Sequence, residues 1–332
     1  MQVKKYDEHG RPYLEICEGY EIRLDYSELS EADKEKARVE LRETPENVEK
    51  GLKELREILA NDDTLFVPSE YDEFLMKFLR PTKFYAKSAY KLMRHYYEFR
   101  EKYPEYCKNL VPSTARLAIE HNIINIHPKR DQHRRRIIIV KPGTNWDHSI
   151  VSVNESFRAL QLGAEAALLE QVTQVNGFIV IMDFVGLTLS QCLVATPHNV
   201  RMFMEWFQKS QPLRCKAIHV VNYPTVFAVL YGVFRPFIGS KIKKRVHFHG
   251  NDFKSLLEHV DADCLPKCYG GTIECEEADG KLAAEILEES SDEFELATHF
   301  GIVKNKHEIK LKLVPVTDPN RIGTKYALVK TE

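Results

Sequence analysis

Apolar residues recur at three- to four-residue intervals through the first third of the chain, and then the rhythm changes. From Ser30 the spacing is helical, and Ser30 with Asp33 has the form of a capping box. In "TPENVEKGLKELREILA", Thr44 is placed as a cap and Pro45 as the first helical residue, with Val48, Leu52, Leu55 and Leu59 on one face. A third helix is predicted from Ser69, burying Phe74, Leu75, Phe78 and Leu79. A fourth runs from Tyr85 to Tyr103 and is ended by Pro104. Residues 1–29 carry no decisive pattern.

Beyond Pro112 four β-rich runs appear: "RRIIIV" (135–140), "GFIVIMDF" (177–184), "KAIHVV" (216–221) and "RVHFH" (245–249). Helical stretches separate them at Val153–Gln171, Pro197–Gln211 and Pro224–Phe234. This alternation predicts an α/β fold with a mainly parallel sheet and crossover helices. The runs are apolar at consecutive positions, as strands covered on both faces require. The chain divides into an N-terminal extension (1–29), a helical domain (30–111), an α/β domain (112–275) and an acidic C-terminal extension (276–332). From Glu274 to Glu295 Lys281 is the lone cation, and Leu282, Ile286 and Leu287 suggest at most one docked helix. The rest reads as a solvated face open to a protein partner.

Composition narrows the picture mostly by exclusion. Across 332 residues the formal net charge is -2 and the pI about 6.7, so the chain as a whole does not attract nucleic acid or membranes. Seven scattered cysteines fit reduced thiols in a cytosolic protein. The start, "MQVKKYDEHGRPYLEIC", lacks the apolar core of a signal peptide. The greasiest run, "GFIVIMDFVGLTL", contains Asp183 and falls short of the ~20 residues a spanning helix needs. A cytoplasmic protein that meets membranes transiently is expected.

No phosphate-binding glycine loop, dinucleotide fingerprint or serine-hydrolase elbow occurs, so the reading is not enzymatic and calls for no cofactor. His247 and His249 share one side of a strand but lack a third ligand at a compelling spacing. His259, Cys264, Cys268 and Cys275 fit no standard zinc spacing, so no metal is expected. Asp183 ends a buried strand, where capping the next turn suits it.

What remains is apolar. In "YPTVFAVLYGVFRPFI" (223–238), Phe227, Leu230, Tyr231 and Phe234 form one helical face, while Val226, Val229 and Val233 form another just as greasy. Such a helix is buried all round or shares its surfaces between protein, ligand and membrane. Four cations, Lys241, Lys243, Lys244 and Arg245, follow it directly, and Arg214 and Lys216 open the third strand. In a parallel sheet these groups lie at one edge. A compact basic patch beside grease suits an anionic bilayer. A second basic run, "KRDQHRRRIII" (129–139), reads as a turn entering the first strand.

The segments "FLMKFLRPTKF", "YYEFREKYPE", "DQHRRRIIIVKPGTNWD", "GFIVIMDFVGLTLSQ", "PLRCKAIHVVNYPTVF", "PFIGSKIKKRVHFHG" and "LPKCYGGT" span roughly residues 45–275 in order. In them the chain resembles the CRAL-TRIO lipid carriers, in the branch of cellular retinaldehyde-binding protein and α-tocopherol transfer protein. The resemblance implies a helical N-terminal domain followed by an α/β/α lipid-binding domain with an apolar gate helix. It implies a lipid pocket of Phe157, Leu160, Ala164, Phe178, Val180, Met182, Phe203, Trp206, Phe207 and Ile218. It further implies a gate carrying Phe227, Leu230, Tyr231 and Phe234, and a phosphoinositide site of Arg214, Lys216, Lys241 and Arg245. The expected ligand is a small hydrophobic lipid such as a retinoid, tocopherol or carotenoid, transferred at phosphoinositide-containing membranes. Alternatives on the same fold are a phospholipid or phosphoinositide exchanger and a signalling adaptor with a collapsed pocket. Thr82 stands where the family often has an arginine beside the basic cleft, and Trp206 and Phe207 are bulkier than the aliphatics common there.

Overall fold

A computed structural model of the chain describes residues 2–316, 324 and 326–330. The first residues, which carry no sequence signal, form an antiparallel meander of β1 (Val3–Tyr6), β2 (Pro12–Cys17) and β3 (Tyr20–Ile22). Helix α1 (Glu31–Leu41) starts at the expected capping box, with Ser30 Oγ accepting from the Asp33 amide. Helix α2 (Pro45–Ala60) is capped by Thr44, and Leu52, Leu55 and Leu59 are buried. After β4 (Leu65–Phe66), α3 (Asp72–Leu79) begins three residues later than the sequence suggests, because the chain turns through Tyr71 first. It buries Phe74, Leu75, Phe78 and Leu79 against α4 (Ala86–Lys102), at about 1.5–3 kcal/mol for each large side chain.

The main sheet has five strands. Strand β5 (Ile124–Ile126) was not anticipated and pairs antiparallel at the edge of β6 (Arg136–Val140). Helix α5 (Val153–Leu169) ends earlier than the pattern predicts, because Glu170 is extended, and α6 (Gln171–Asn176) starts anew. Strand β7 (Phe178–Asp183) pairs parallel with β6, as the alternation predicts. Helix α7 (Pro197–Glu205) likewise stops short, and a π-helical turn, Trp206–Ser210, completes the segment expected as one helix. Strands β8 (Cys215–Val221) and β9 (Val246–Gly250) extend the parallel sheet, joined by α8 (Phe227–Phe234), whose first turn begins only after the turn at residues 224–226. Helix α9 (Phe253–Leu257) covers one sheet face, where Ile179 and Ile181 meet Leu256, Val260 and Tyr269. Asp183 acts as a cap: its carboxylate takes the Val185 amide, Asn222 Nδ2 and the Tyr269 hydroxyl.

The C-terminal extension departs from the solvated tail expected of it. Helix α10 (Gly280–Glu289) docks Leu282 and Ile286 on Leu14 and Ile16 of β2, and α11 (Ser291–Thr298) buries Phe294 beneath α5. Strand β10 (Gly301–Ile302) pairs with β4, and β11 (Leu311–Pro315) pairs with β12 (Tyr326–Lys330). Phe300 and Tyr326 insert into the core of the helical domain. The thiol expectation is corrected too: Cys17 and Cys275 form a disulfide, Cα–Cα 6.0 Å, across 258 residues that concealed the pairing. Cys107, Cys192, Cys215, Cys264 and Cys268 are free. Among the described residues, no helix is long and apolar enough to cross a membrane.

On the α9 face of the sheet, four histidines meet. His247 and His249 share that face as their spacing requires, and His219 of β8 and His259 join them, with His247 and His259 rings 4.4 Å apart. The looser grouping of His259 with Cys264, Cys268 and Cys275 is not assembled, because Cys275 bonds Cys17 and Cys264 lies in the core. Among the described residues, no three His, Cys, Asp or Glu side chains are placed to hold a metal ion. His219 is fully buried and shares a 3.0 Å hydrogen bond with His249, which reaches Ser255 at 2.8 Å. Burial first, then the charge of His249, His247, His259 and Arg135, push its imidazole down to about 3. The folded protein therefore resists a proton that the unfolded chain accepts near pH 6.5. The neutral ring's contribution is complete above that pH. It is lost as the pH falls toward the folded value, at about 1.4 kcal/mol per pH unit. Thermal unfolding at pH 7 and pH 5 should show a clear drop on acidification, and His219→Gln should flatten it. An unchanged slope in that variant would refute the assignment.

Candidate lipid-binding site

The gate-side face of the sheet is lined by Phe178, Val180 and Met182 from β7 and Ile218 from β8. Their alternation with Ile179 and Ile181 follows from the two-residue period of a strand. Over them lie Phe157, Leu160 and Ala164 of α5, Phe203 of α7, and Trp206 and Phe207 of the π turn. Phe207 belongs to both groups, and Met182 and Ile218 run on into the cluster beneath α8, so the ten residues form one continuous apolar layer. Within it the rings interdigitate. Phe157 and Trp206 are edge to face at 5.2 Å, and Phe203 stacks on Phe207 at 5.9 Å.

Helix α8 closes one end of this layer. Phe227 is buried against Phe184 at 4.7 Å, Leu230 and Tyr231 are half-buried, and Phe234 meets Phe203 at 6.1 Å. Its outer face is apolar and wet: Val229 is 45% exposed. The helical turn Leu189–Val194 packs beside it with Leu189 and Leu193 exposed, and Phe248 of β9 is exposed as well. Val229, Leu189, Leu193 and Phe248 thus put large apolar side chains in water around α8.

The basic residues meet where β8 and β9 begin. Gly177 takes φ +80°, and a Cβ there would stand 2.2 Å from the Arg214 carbonyl, so glycine lets β7 and β8 pair at this edge. Arg214 donates to the Val175 carbonyl and Arg245 to the Cys215 carbonyl, which holds both cations beside the sheet edge. Lys216 lies between them in sequence on β8, and Lys241 is exposed on the turn Ser240–Lys243 leading into β9. Sequence reasoning missed an acidic group that pairs with two of these cations. Glu40 of α1 reaches Arg214 Nη2 at 2.7 Å and Lys216 Nζ at 3.0 Å. Burial pushes its carboxyl up, but hydrogen bonds from Arg214 and Lys216 outweigh this and hold it down at about 2. Lys216 is itself lowered, by burial and then by Arg214. Thr82, placed near this cleft by the resemblance, donates its hydroxyl to the Phe78 and Leu79 carbonyls at the end of α3.

A mostly parallel sheet covered on both faces, an apolar layer on one of them and a greasy helix over its end make up an α/β domain. The CRAL/TRIO domain family matches residues 120–271. Clavesin-1 of Xenopus laevis is 33% identical over 243 residues, 72% of either chain. The human alpha-tocopherol transfer protein-like protein is 32% identical over 259 residues, 78% of this chain and 75% of its own length. The chain belongs to the CRAL-TRIO family of lipid-binding and transfer proteins. A crystal structure of Sfh5 superposes with a TM-score of 0.43 at 14% identity, covering 80% of this chain and 98% of that one.

Proposed function

We propose that this protein is a cytosolic carrier of a small hydrophobic lipid of the isoprenoid class, such as a retinoid, tocopherol or carotenoid. It delivers its cargo at phosphoinositide-containing membranes. The observation that carries the reading is α8: its inner face closes the apolar layer while its outer face is apolar and exposed, and the chain runs on from it into the basic turn Ser240–Lys243. Cargo held between sheet and helices is released when α8 moves into a bilayer, and the cations at 214, 216, 241 and 245 dock the protein there. The work is partition and gating rather than catalysis. Burying ~300 Å² of apolar ligand at about 25 cal/mol per Å² supplies several kcal/mol. Headgroups favour release only by binding the open state more tightly than the closed one.

Charge reversal at Lys241 and Arg245 tests the mechanism. With ~1 kcal/mol per cation at the surface, transfer to phosphoinositide vesicles should slow about tenfold or more while lipid affinity holds. Unchanged transfer rejects it. The interdigitated aromatics favour one further reading, an adaptor whose pocket its own side chains fill. Mass spectrometry of an organic extract decides between the two. About one isoprenoid per chain supports the carrier, and folded protein that takes up no added candidate supports the adaptor.

A further inference from the structure

Few directional contacts hold the segment that closes the apolar layer. Phe227, Tyr231 and Phe234 are kept in place by ring packing, which fixes no direction, and Arg201 lies over the Phe237 ring at 5.7 Å. Among the described residues, the hydrogen bonds that tie Tyr223–Lys244 to the rest of the chain come from two side chains. Cys192 supplies weak sulfur contacts near the start of α8, to the Val226 carbonyl at 3.7 Å and to the Leu230 backbone. Gln208 supplies the strong ones, at the other end.

Gln208 Nε2 donates to the Phe237 carbonyl at 2.9 Å, in the turn Arg235–Phe237 that follows α8, and its Oε1 accepts the Gly239 amide at 2.8 Å. One side-chain amide thus grips the backbone on both sides of Ile238. Gly239 has φ -69° and ψ 156°, which any residue adopts, so the backbone does not require glycine there. The missing side chain makes room for Gln208 instead. A Cβ at 239 would stand 2.6 Å from Gln208 Oε1, and the next nearest atom is Gln208 Cδ at 3.7 Å. Gln208 belongs to the π turn Trp206–Ser210, whose Trp206 and Phe207 enter the apolar layer. Turns of this kind recur at functional sites. Here one turn touches the layer with two side chains and holds the end of the gate with the next.

We propose that Gln208 is a latch that keeps the C-terminal end of the gate shut. Opening begins when Phe237 and Gly239 leave its amide. The start of the segment stays anchored through Asn222, which bonds Asp183 and the Gly250 carbonyl. The basic turn Ser240–Lys243 begins at the latched glycine, so a headgroup that draws Lys241 toward the bilayer pulls on the latch. This rests on the carrier reading and names the contact that regulates its gate.

Two variants break the latch from opposite sides. Gln208→Leu removes both bonds, and Gly239→Ala adds one methyl at an exposed position, where it meets Gln208 and leaves the core alone. In full-length protein without lipid, hydrogen exchange at the amides of Phe237, Ile238 and Gly239 should speed about tenfold in either variant, roughly what two partly wet hydrogen bonds contribute. Exchange at 222–226 should change by less than about twofold. Release of α-tocopherol or retinaldehyde, whichever the parent binds, to phosphatidylinositol bisphosphate vesicles should speed by a similar factor. The double variant should go no faster than either single one, because both remove the same contact. Unchanged exchange at 237–239 in both variants overturns the latch, whatever the cargo. Faster exchange with unchanged release also overturns it and leaves the carrier reading standing. A parent that binds neither lipid overturns the carrier reading and the latch with it.

Discussion

Glu170→Leu is expected to destabilise the protein by about 3–5 kcal/mol, the cost of stranding a buried charge. Glu170 is 4% exposed and stands where four pieces of chain meet. It accepts from Arg136 at the start of β6, from Arg130 Nη2 at 3.0 Å, from the Thr173 hydroxyl at 2.5 Å and from the Asp25 amide at 3.2 Å. Arg130 has a second carboxylate, Asp25, at 2.9 Å. Among the described residues Glu170 is the carboxylate that Arg136, itself 6% exposed, pairs with, so this guanidinium suffers most when Glu170 is removed. Arg136→Met alone should cost less, because Glu170 keeps its other donors. The double variant Arg136→Met/Glu170→Leu should recover a large part of the loss, since the apolar pair needs no solvation. Urea unfolding midpoints of the three variants measure this. A Glu170→Leu protein within 1 kcal/mol of the parent, on the order of a surface pair, would show that the network is solvated.

What could be learned from the sequence was local. The capping box at Ser30 and Asp33 and the cap at Thr44 are visible because a helix start is written within four residues. The parallel strands are visible because burial on both faces leaves an unbroken apolar run. Strand β5 has only three residues and Asn125 at its centre, too little for any periodicity to register. The first strand, β1, is mostly exposed, so no apolar pattern announces it. The C-terminal extension is acidic on average, and its docking depends on a few residues, Leu282, Ile286, Phe294, Phe300 and Tyr326, whose partners lie far away in the chain. The site divides in the same way. The pocket and gate positions came from the family resemblance, and periodicity added only that those on β7, α5 and α8 share a face. Glu40 could not be named, because on α1 it reads as one more charge on a wet helix, 174 residues from Arg214. His219 was hidden inside an apolar run, and its neighbours only become neighbours through strand register.

Glu40 leads to the other large effect: Glu40→Gln is expected to raise affinity for anionic vesicles and to blunt their discrimination by headgroup charge. With its carboxyl held at about 2, Glu40 is ionised throughout the physiological range and already occupies Arg214 and Lys216 as a phosphate would. On the proposed reading a headgroup has to displace it. A singly charged phosphate offers these cations little more than the carboxylate they give up, whereas several phosphates also engage Lys241 and Arg245. On the proposed reading, Glu40 therefore sets a charge threshold that favours phosphoinositides over phosphatidylserine. Removing its charge lowers that threshold for both, and proportionally more for the weaker ligand. Co-flotation with vesicles containing phosphatidylserine or phosphatidylinositol bisphosphate measures it, with binding in the variant falling more steeply as salt is raised, because its cations start unpaired. The gain should be on the order of tenfold for phosphatidylserine vesicles, about what ~1 kcal/mol per freed cation yields. Equal binding of parent and variant to both vesicle types would mean that the headgroup does not enter between Arg214 and Lys216, and that membrane attraction rests on the exposed lysines 241, 243 and 244 alone.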